Sequence, residues 1–94
     1  MFTKLTPQRI RHDSGYVVQS GGRFSFQYLD GDLVAEIPID RAQITGLYPD
    51  SMTIRKGSNS EVPTEQVREH ILNRIIEGLK FWNIEYEICK GSPP

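Results

Sequence analysis

The histidines and the single cysteine are the residues best suited to bind a metal ion or to act as a nucleophile. His12 and His70 are far apart in sequence, and neither has a second ligand at the spacing that zinc sites require. Cys89 falls in a predicted terminal strand, outside any recognisable nucleophile motif, and a lone cysteine cannot form an intrachain disulfide. We therefore predict no metal, no cofactor and no covalent catalysis.

Two pairs of carboxylates could in principle support acid–base chemistry, because each pair is separated by only one residue. They are Asp30 with Asp32 and Glu85 with Glu87. Such pairs in turns and strands usually form a solvated face. No glycine-rich phosphate loop precedes a helix, and the serines in turns have no nucleophile-elbow sequence around them. The prediction is that the protein is not an enzyme.

Aromatic residues alternate along one segment in the manner of an RNA-stacking strand. Phe24, Phe26 and Tyr28 lie at every second position after Gly22-Arg23. RNA-recognition folds of that kind need two helices, however, and only one is visible. We therefore predict that these rings pack in the core.

Aspartates recur in the predicted turns, at Asp30, Asp32, Asp40 and Asp50. Asp is favoured in turns for its local hydrogen bonds, which explains the positions without any function. The functional interpretation is an acidic patch, at one end of the hairpins, that binds a basic partner. These four residues are the candidate binding site.

The elements that must position these residues begin with a series of strands. Turn signals at residues 13–15, 21–22 and 30–32 are spaced as in an antiparallel meander. A two-residue turn at Gly21-Gly22 would place Val17 opposite Phe26. A turn at Asp30-Gly31, or one residue later, would place the apolar side chains of the two flanking strands on the same face of the sheet. That face comprises Phe24, Phe26, Tyr28, Leu33, Ala35 and Ile37.

The C-terminal part switches from helical to strand periodicity. Val67, Ile71, Ile75 and Leu79 recur every fourth residue, after which Ile84 to Cys89 alternates. Thr64 is the predicted N-cap, and Gly78 is predicted to contact the sheet closely. The fold class is thus α+β. About five to seven antiparallel strands form a meander, one C-terminal helix over about 64–82 packs on one face, and a short strand follows.

Length and composition are those of a small globular domain. The chain has 94 residues, 37% of them hydrophobic and 24% charged, with a net charge of −1. We predict one domain over 1–89 and a disordered tail over 90–94. The near-neutral charge argues against a dedicated nucleic-acid binder. No apolar run is long enough for a signal peptide or a membrane span, so we expect a cytoplasmic protein without a membrane partner.

Several segments together resemble the small immunity proteins of bacterial polymorphic toxin systems, in particular the group called immunity protein 74. They are Gly22-Arg23, the strand with Glu36, residues 48–55, residues 71–75 of the helix and the ending at residues 84–88. The resemblance covers most of residues 9–89. It implies an antidote that binds a cognate toxin domain and blocks it by occlusion, without chemistry of its own.

Three alternatives are also compatible with the sequence. One is a small nucleic-acid-binding or regulatory accessory domain that uses Arg9, Arg11, Arg23 and Tyr16. Another is a small enzyme with its site between sheet and helix. A homodimer is also compatible with the sequence, since an exposed edge strand invites pairing with a second copy.

Overall fold

The protein adopts an α+β fold in which one helix covers one face of a mostly antiparallel sheet. The computed structural model describes residues 1–93, and Pro94 lies outside them. Within that range there are nine strands, one α-helix and one 3₁₀ turn. They are β1 (Phe2–Thr6), β2 (Arg9–His12), β3 (Val17–Ser20), β4 (Ser25–Asp30), β5 (Leu33–Arg41), β6 (Thr45–Leu47), the 3₁₀ turn (Pro49–Ser51), β7 (Thr53–Lys56), β8 (Asn59–Glu61), α1 (Glu65–Phe81) and β9 (Tyr86–Ile88). The predicted fold class is confirmed.

Strand β5 is the branching point of the sheet. The main strand order is β1-β2-β3-β4-β5-β6-β9, and β7 with β8 branch from β5. Strand β5 pairs with β7 over residues 33–36 and with β6 over residues 39–41. Strands β6 and β9 are parallel, because α1 carries the chain back before β9 begins.

The core lies between α1 and the helix-covered face of the sheet. Helix α1 buries Ile71, Ile75 and Leu79 there. Five of the six residues predicted for the apolar face take that side, with Leu33 half-buried and the others fully buried. Phe24 does not: it precedes β4 and is 69% exposed. The prediction that these aromatic rings pack in the core is therefore confirmed for Phe26 and Tyr28 and wrong for Phe24.

Of the two hairpin turns predicted from the sequence, one is confirmed and the other is wrong. Asp30 pairs with Leu33, so the β4–β5 turn is Gly31-Asp32, the later of the two predicted positions. The two-residue turn predicted at Gly21-Gly22 is wrong, because Ser20 pairs with Phe26. Residues 21–24 form a wider loop, in which Gly21 N–H donates to the carbonyl of Ser25 at 2.9 Å.

Helix α1 begins and ends for identifiable reasons. The Thr64 hydroxyl accepts a hydrogen bond from Val67 N–H at 3.3 Å, as predicted for an N-cap. Asn83 has φ of 58°, so it is the left-handed residue that ends the helical path. Gly78 faces β2 and β3: a Cβ built on it would lie 3.3 Å from Ile10 Cδ1 and Val18 Cβ. The glycine therefore permits the close approach that we predicted.

Local pairings in two segments were not predicted. One is the hairpin that β7 and β8 form, with Ile54 opposite Glu61. Strand β1 adds an edge beyond β2. Near the C-terminus, Gly91 N–H donates to Asp50 Oδ2 at 3.1 Å, and Ser51 Oγ donates to the Gly91 carbonyl at 2.9 Å. The disorder expected for 90–94 remains a prediction for the tail, of which Pro94 lies outside the described residues.

Candidate functional sites

The four predicted aspartates do not form one patch. Asp30 ends β4 and Asp32 lies in the β4–β5 turn, whereas Asp40 lies at the other end of β5. Asp32 and Asp40 are eight positions apart along extended chain, which corresponds to about 26 Å. Asp50 lies in the 3₁₀ turn, where it accepts the hydrogen bond from Gly91. Each aspartate therefore has its own environment.

Asp30 belongs to a polar network that links β4 to α1. Tyr28 Oη donates to Asp30 Oδ2 at 2.9 Å, and Arg74 Nη1 donates to Tyr28 Oη at 2.8 Å and to Asp30 Oδ2 at 3.3 Å. The Arg74 guanidinium also lies over the Tyr16 ring, 4.5 Å from its centroid. Part of the charge of Asp30 is thus compensated within the protein.

Asp40 lies on the face of the sheet that the helix leaves open, together with Glu36 and Glu87. Asp40 pairs with Gly46, and Gly46 pairs with Glu87, so the two carboxylates lie on the strands either side of this glycine. Glu36 lies on the same side of β5, four residues earlier. All three side chains are exposed. We name Glu36, Asp40 and Glu87 the acidic strip.

Tyr48 lies beside the acidic strip, and the negative charge of the strip contributes to a raised pKa of its hydroxyl. Burial raises the pKa of Tyr48, the nearby Cys89 acts in the same direction, and the charges of Asp40 and Glu87 raise it further. Cys89 also occupies the space next to Gly46, where an added Cβ would lie 3.0 Å from its Sγ. A larger residue at position 46 would displace this corner of the open face.

A cleft, which we name the cationic cleft, lies where the C-terminal end of α1 meets the strand ends. It has a volume of about 400 Å³. Its walls comprise Pro7, Gln8, Ser20, Gly22, Arg23, Phe26, Arg41, Trp82 and Ile84. The lining includes two arginines and no carboxylate.

Arg41 holds one wall of the cleft in place. Its Nε donates to the Arg23 carbonyl at 3.2 Å, and its Nη2 donates to Ser20 Oγ at 3.2 Å and to the Gly22 carbonyl at 3.3 Å. The guanidinium also lies over the Phe26 ring, 5.3 Å from the centroid. These bonds stabilise the wide β3–β4 loop. They come from a residue about twenty positions away, so a local turn pattern could not reveal them.

Trp82 forms the aromatic back of the cleft. Its ring stacks on Phe26 with centroids 6.1 Å apart and an interplanar angle of 21°. Its indole Nε1 is buried, and no residue in 1–93 accepts a hydrogen bond from it. An unpaired buried donor costs roughly 1–3 kcal/mol, so this N–H would gain from an acceptor.

The residues of the nucleic-acid alternative are dispersed. Arg9 and Arg11 are exposed on β2, whereas Arg23 lines the cationic cleft. Tyr16 is 3% exposed and packs against Tyr28, so its ring cannot stack on a base. Burial raises the pKa of Tyr16, while the nearby Arg74 partly offsets the rise. These four residues therefore do not share one surface.

Across residues 1–93, no group of three or more His, Cys, Asp or Glu side chains is placed to hold a metal ion. The helix in this range is also too short and too polar to cross a bilayer. A scan against protein-family models finds no match, and searches of curated proteins and of solved structures also find none.

Proposed function

We propose that the protein is a non-catalytic binding protein that neutralises a cognate toxin domain by covering it, as the resemblance to immunity proteins implies. The observation that supports this proposal is the acidic strip. Its three carboxylates lie on the open face of the sheet, where no helix competes with a partner for contact. A basic surface on the partner is the matching chemistry.

Charge placement makes the strip suitable for recognition. Among the described residues, none of its carboxylates lies within 4.0 Å of a lysine or arginine nitrogen. Asp40 and Glu87 are two strands apart, about 10 Å, so they act together on an approaching cation at physiological salt. Uncompensated charge of this kind accelerates encounter with a partner of opposite sign.

The proposed contact set differs from the four aspartates of the sequence prediction. Asp40 remains in it, joined by Glu36 and Glu87. Asp32 is exposed at the far end of β5 and would contact a partner only if the interface extended along the whole strand. Asp30 pairs with Arg74 and Asp50 binds the Gly91 N–H, so we assign them to structural stabilisation. Glu36 also accepts hydrogen bonds, from Gln27 Nε2 at 3.1 Å and Ser25 Oγ at 3.4 Å, so Asp40 and Glu87 are the main contacts that we propose.

Co-expression with the product of the neighbouring gene tests the proposal. We expect growth rescue and a one-to-one complex measurable by calorimetry. The double substitution Asp40→Asn with Glu87→Gln should weaken binding at least tenfold, mostly through slower association at low salt. A matched control, Glu65→Gln with Glu69→Gln on α1, removes the same charge elsewhere and should bind normally. The proposal fails if the neighbouring product neither binds nor is neutralised.

A further inference from the structure

The cationic cleft is separate from the acidic strip and has the features of a small-molecule site. We infer that it binds a small organic anion in which a phosphate or carboxylate group is attached to a planar ring. Its volume of about 400 Å³ lies within the range of about 300–1,000 Å³ typical of ligand pockets. This inference does not depend on the proposed function.

The charge of the cleft points to an anion. Arg23 and Arg41 both line it, and neither forms an ion pair with a carboxylate in residues 1–93. Two unpaired guanidinium groups on one cleft make the local potential positive, although both side chains are exposed and solvent partly screens their charge. Guanidinium matches phosphate and carboxylate geometry through paired N–H donors, and Arg23 can supply such a pair. Arg41 can add only its Nη1 donors, because its Nε and Nη2 donate to the loop.

Arg41 is held in position before any ligand arrives. Three hydrogen bonds and the Phe26 ring fix its guanidinium, so little side-chain freedom is lost on binding. Arg23 is exposed and free to move toward the ligand. The pair thus combines a fixed cation with an adjustable one.

An aromatic residue in the cleft is the reason for inferring a planar ring in the ligand. Trp82 is half-buried and lines the cleft, and it packs against the core, where it stacks on Phe26. Phe24 is 69% exposed beside Arg23, in the loop that forms one wall. A planar group that stacks on the exposed part of Trp82 would bury apolar area, whereas Phe24 is not part of the cleft lining.

Trp82 is the only tryptophan in the chain, so its fluorescence reports on the cleft directly. Titration with phenyl phosphate should change the emission with a dissociation constant below the millimolar range. Benzoate tests the carboxylate form of the same chemistry. Inorganic phosphate should bind at least tenfold more weakly than phenyl phosphate, because it has no ring. Equal affinity for the two would overturn the ring assignment.

The substitution Arg23→Gln provides the residue test, since Arg23 side-chain bonds do not maintain the loop. It should weaken phenyl phosphate binding at least fivefold, while Arg11→Gln on β2 should leave it unchanged. Thermal unfolding of both variants shows whether the fold is intact. Two results would overturn the inference. One is the absence of both a fluorescence change and binding heat with phenyl phosphate and with benzoate at millimolar concentration. The other is equal binding by the wild type and Arg23→Gln.

Discussion

Tyr28 connects the buried core to a polar network at the surface through its hydroxyl group. The ring is 1% exposed, yet Oη reaches Asp30 and Arg74. Burial raises the pKa of Tyr28 to about 12, and the hydrogen bond to Asp30 acts in the same direction. The folded protein therefore retains the phenolic proton at a pH where the unfolded chain has lost it.

This retained proton predicts a loss of stability in alkaline solution. The contribution is fully present below the unfolded pKa of about 10 and disappears as pH rises toward 12, amounting to roughly 2–3 kcal/mol. Tyr28→Phe should cost about 1 kcal/mol at neutral pH through its lost hydrogen bonds. It should also flatten the alkaline decline in urea unfolding. An unchanged slope in the variant would contradict the role given to Tyr28.

Side-chain partners distant in sequence were the part of the site that sequence could not predict. Asp30 was recognised as a turn residue, but its pairing with Arg74 depends on how α1 lies across β4. The acidic strip depends likewise on the parallel pairing of β6 with β9, which places Glu87 beside Gly46. Glu87 itself was noted only as one of a solvated pair.

At the scale of elements, Gly78 determines how closely α1 approaches the sheet. Alanine would add helix propensity worth about 1 kcal/mol, but its Cβ would press on Val18 Cβ at 3.3 Å. Because Val18 Cβ is attached directly to the backbone of β3, it cannot yield easily. We expect overpacking to prevail, so that Gly78→Ala lowers the free energy of unfolding by about 1 kcal/mol.

The exposed helix residue Asn73 supplies the control for that measurement. Asn73→Ala gains propensity without a clash and should stabilise by a few tenths of a kcal/mol. Denaturant titration of the two variants separates the steric effect from the propensity effect. If Gly78→Ala were as stabilising as Asn73→Ala, the close contact would have no energetic role.

Elements with strong periodicity were predictable, and those fixed by distant contacts were not. The spacing of apolar residues identified α1, and the alternation along β4 and β5 identified their shared face. The prediction of a two-residue turn between β3 and β4 was wrong, because Arg41 at the end of β5 stabilises a wider loop there. Strand β8, exposed throughout, had no apolar alternation to reveal it.

At the scale of the whole molecule, β9 closes the sheet next to β6. The Cys89 N–H donates to the Leu47 carbonyl at 2.8 Å, and Leu47 is fully buried. Deleting residues 85–94 should open this edge and lower the free energy of unfolding by about 2–4 kcal/mol. Ending the chain at Gly91 keeps β9 and should change stability by less than about 0.5 kcal/mol. Chemical denaturation of both truncations measures the difference, and equal stability would contradict the closing role.

The branching of the sheet at β5 affects the order in which the strands pair during folding. Strands β1 to β5 join through short hairpins, so their pairings need little loop closure and can form early. The β6–β9 pairing joins segments about forty residues apart and must wait for α1 to dock. The late pairing should also be the first to open in the native state. Hydrogen exchange should therefore show the amides of β9 as the least protected among the paired strands, and those of β4 as the slowest to exchange.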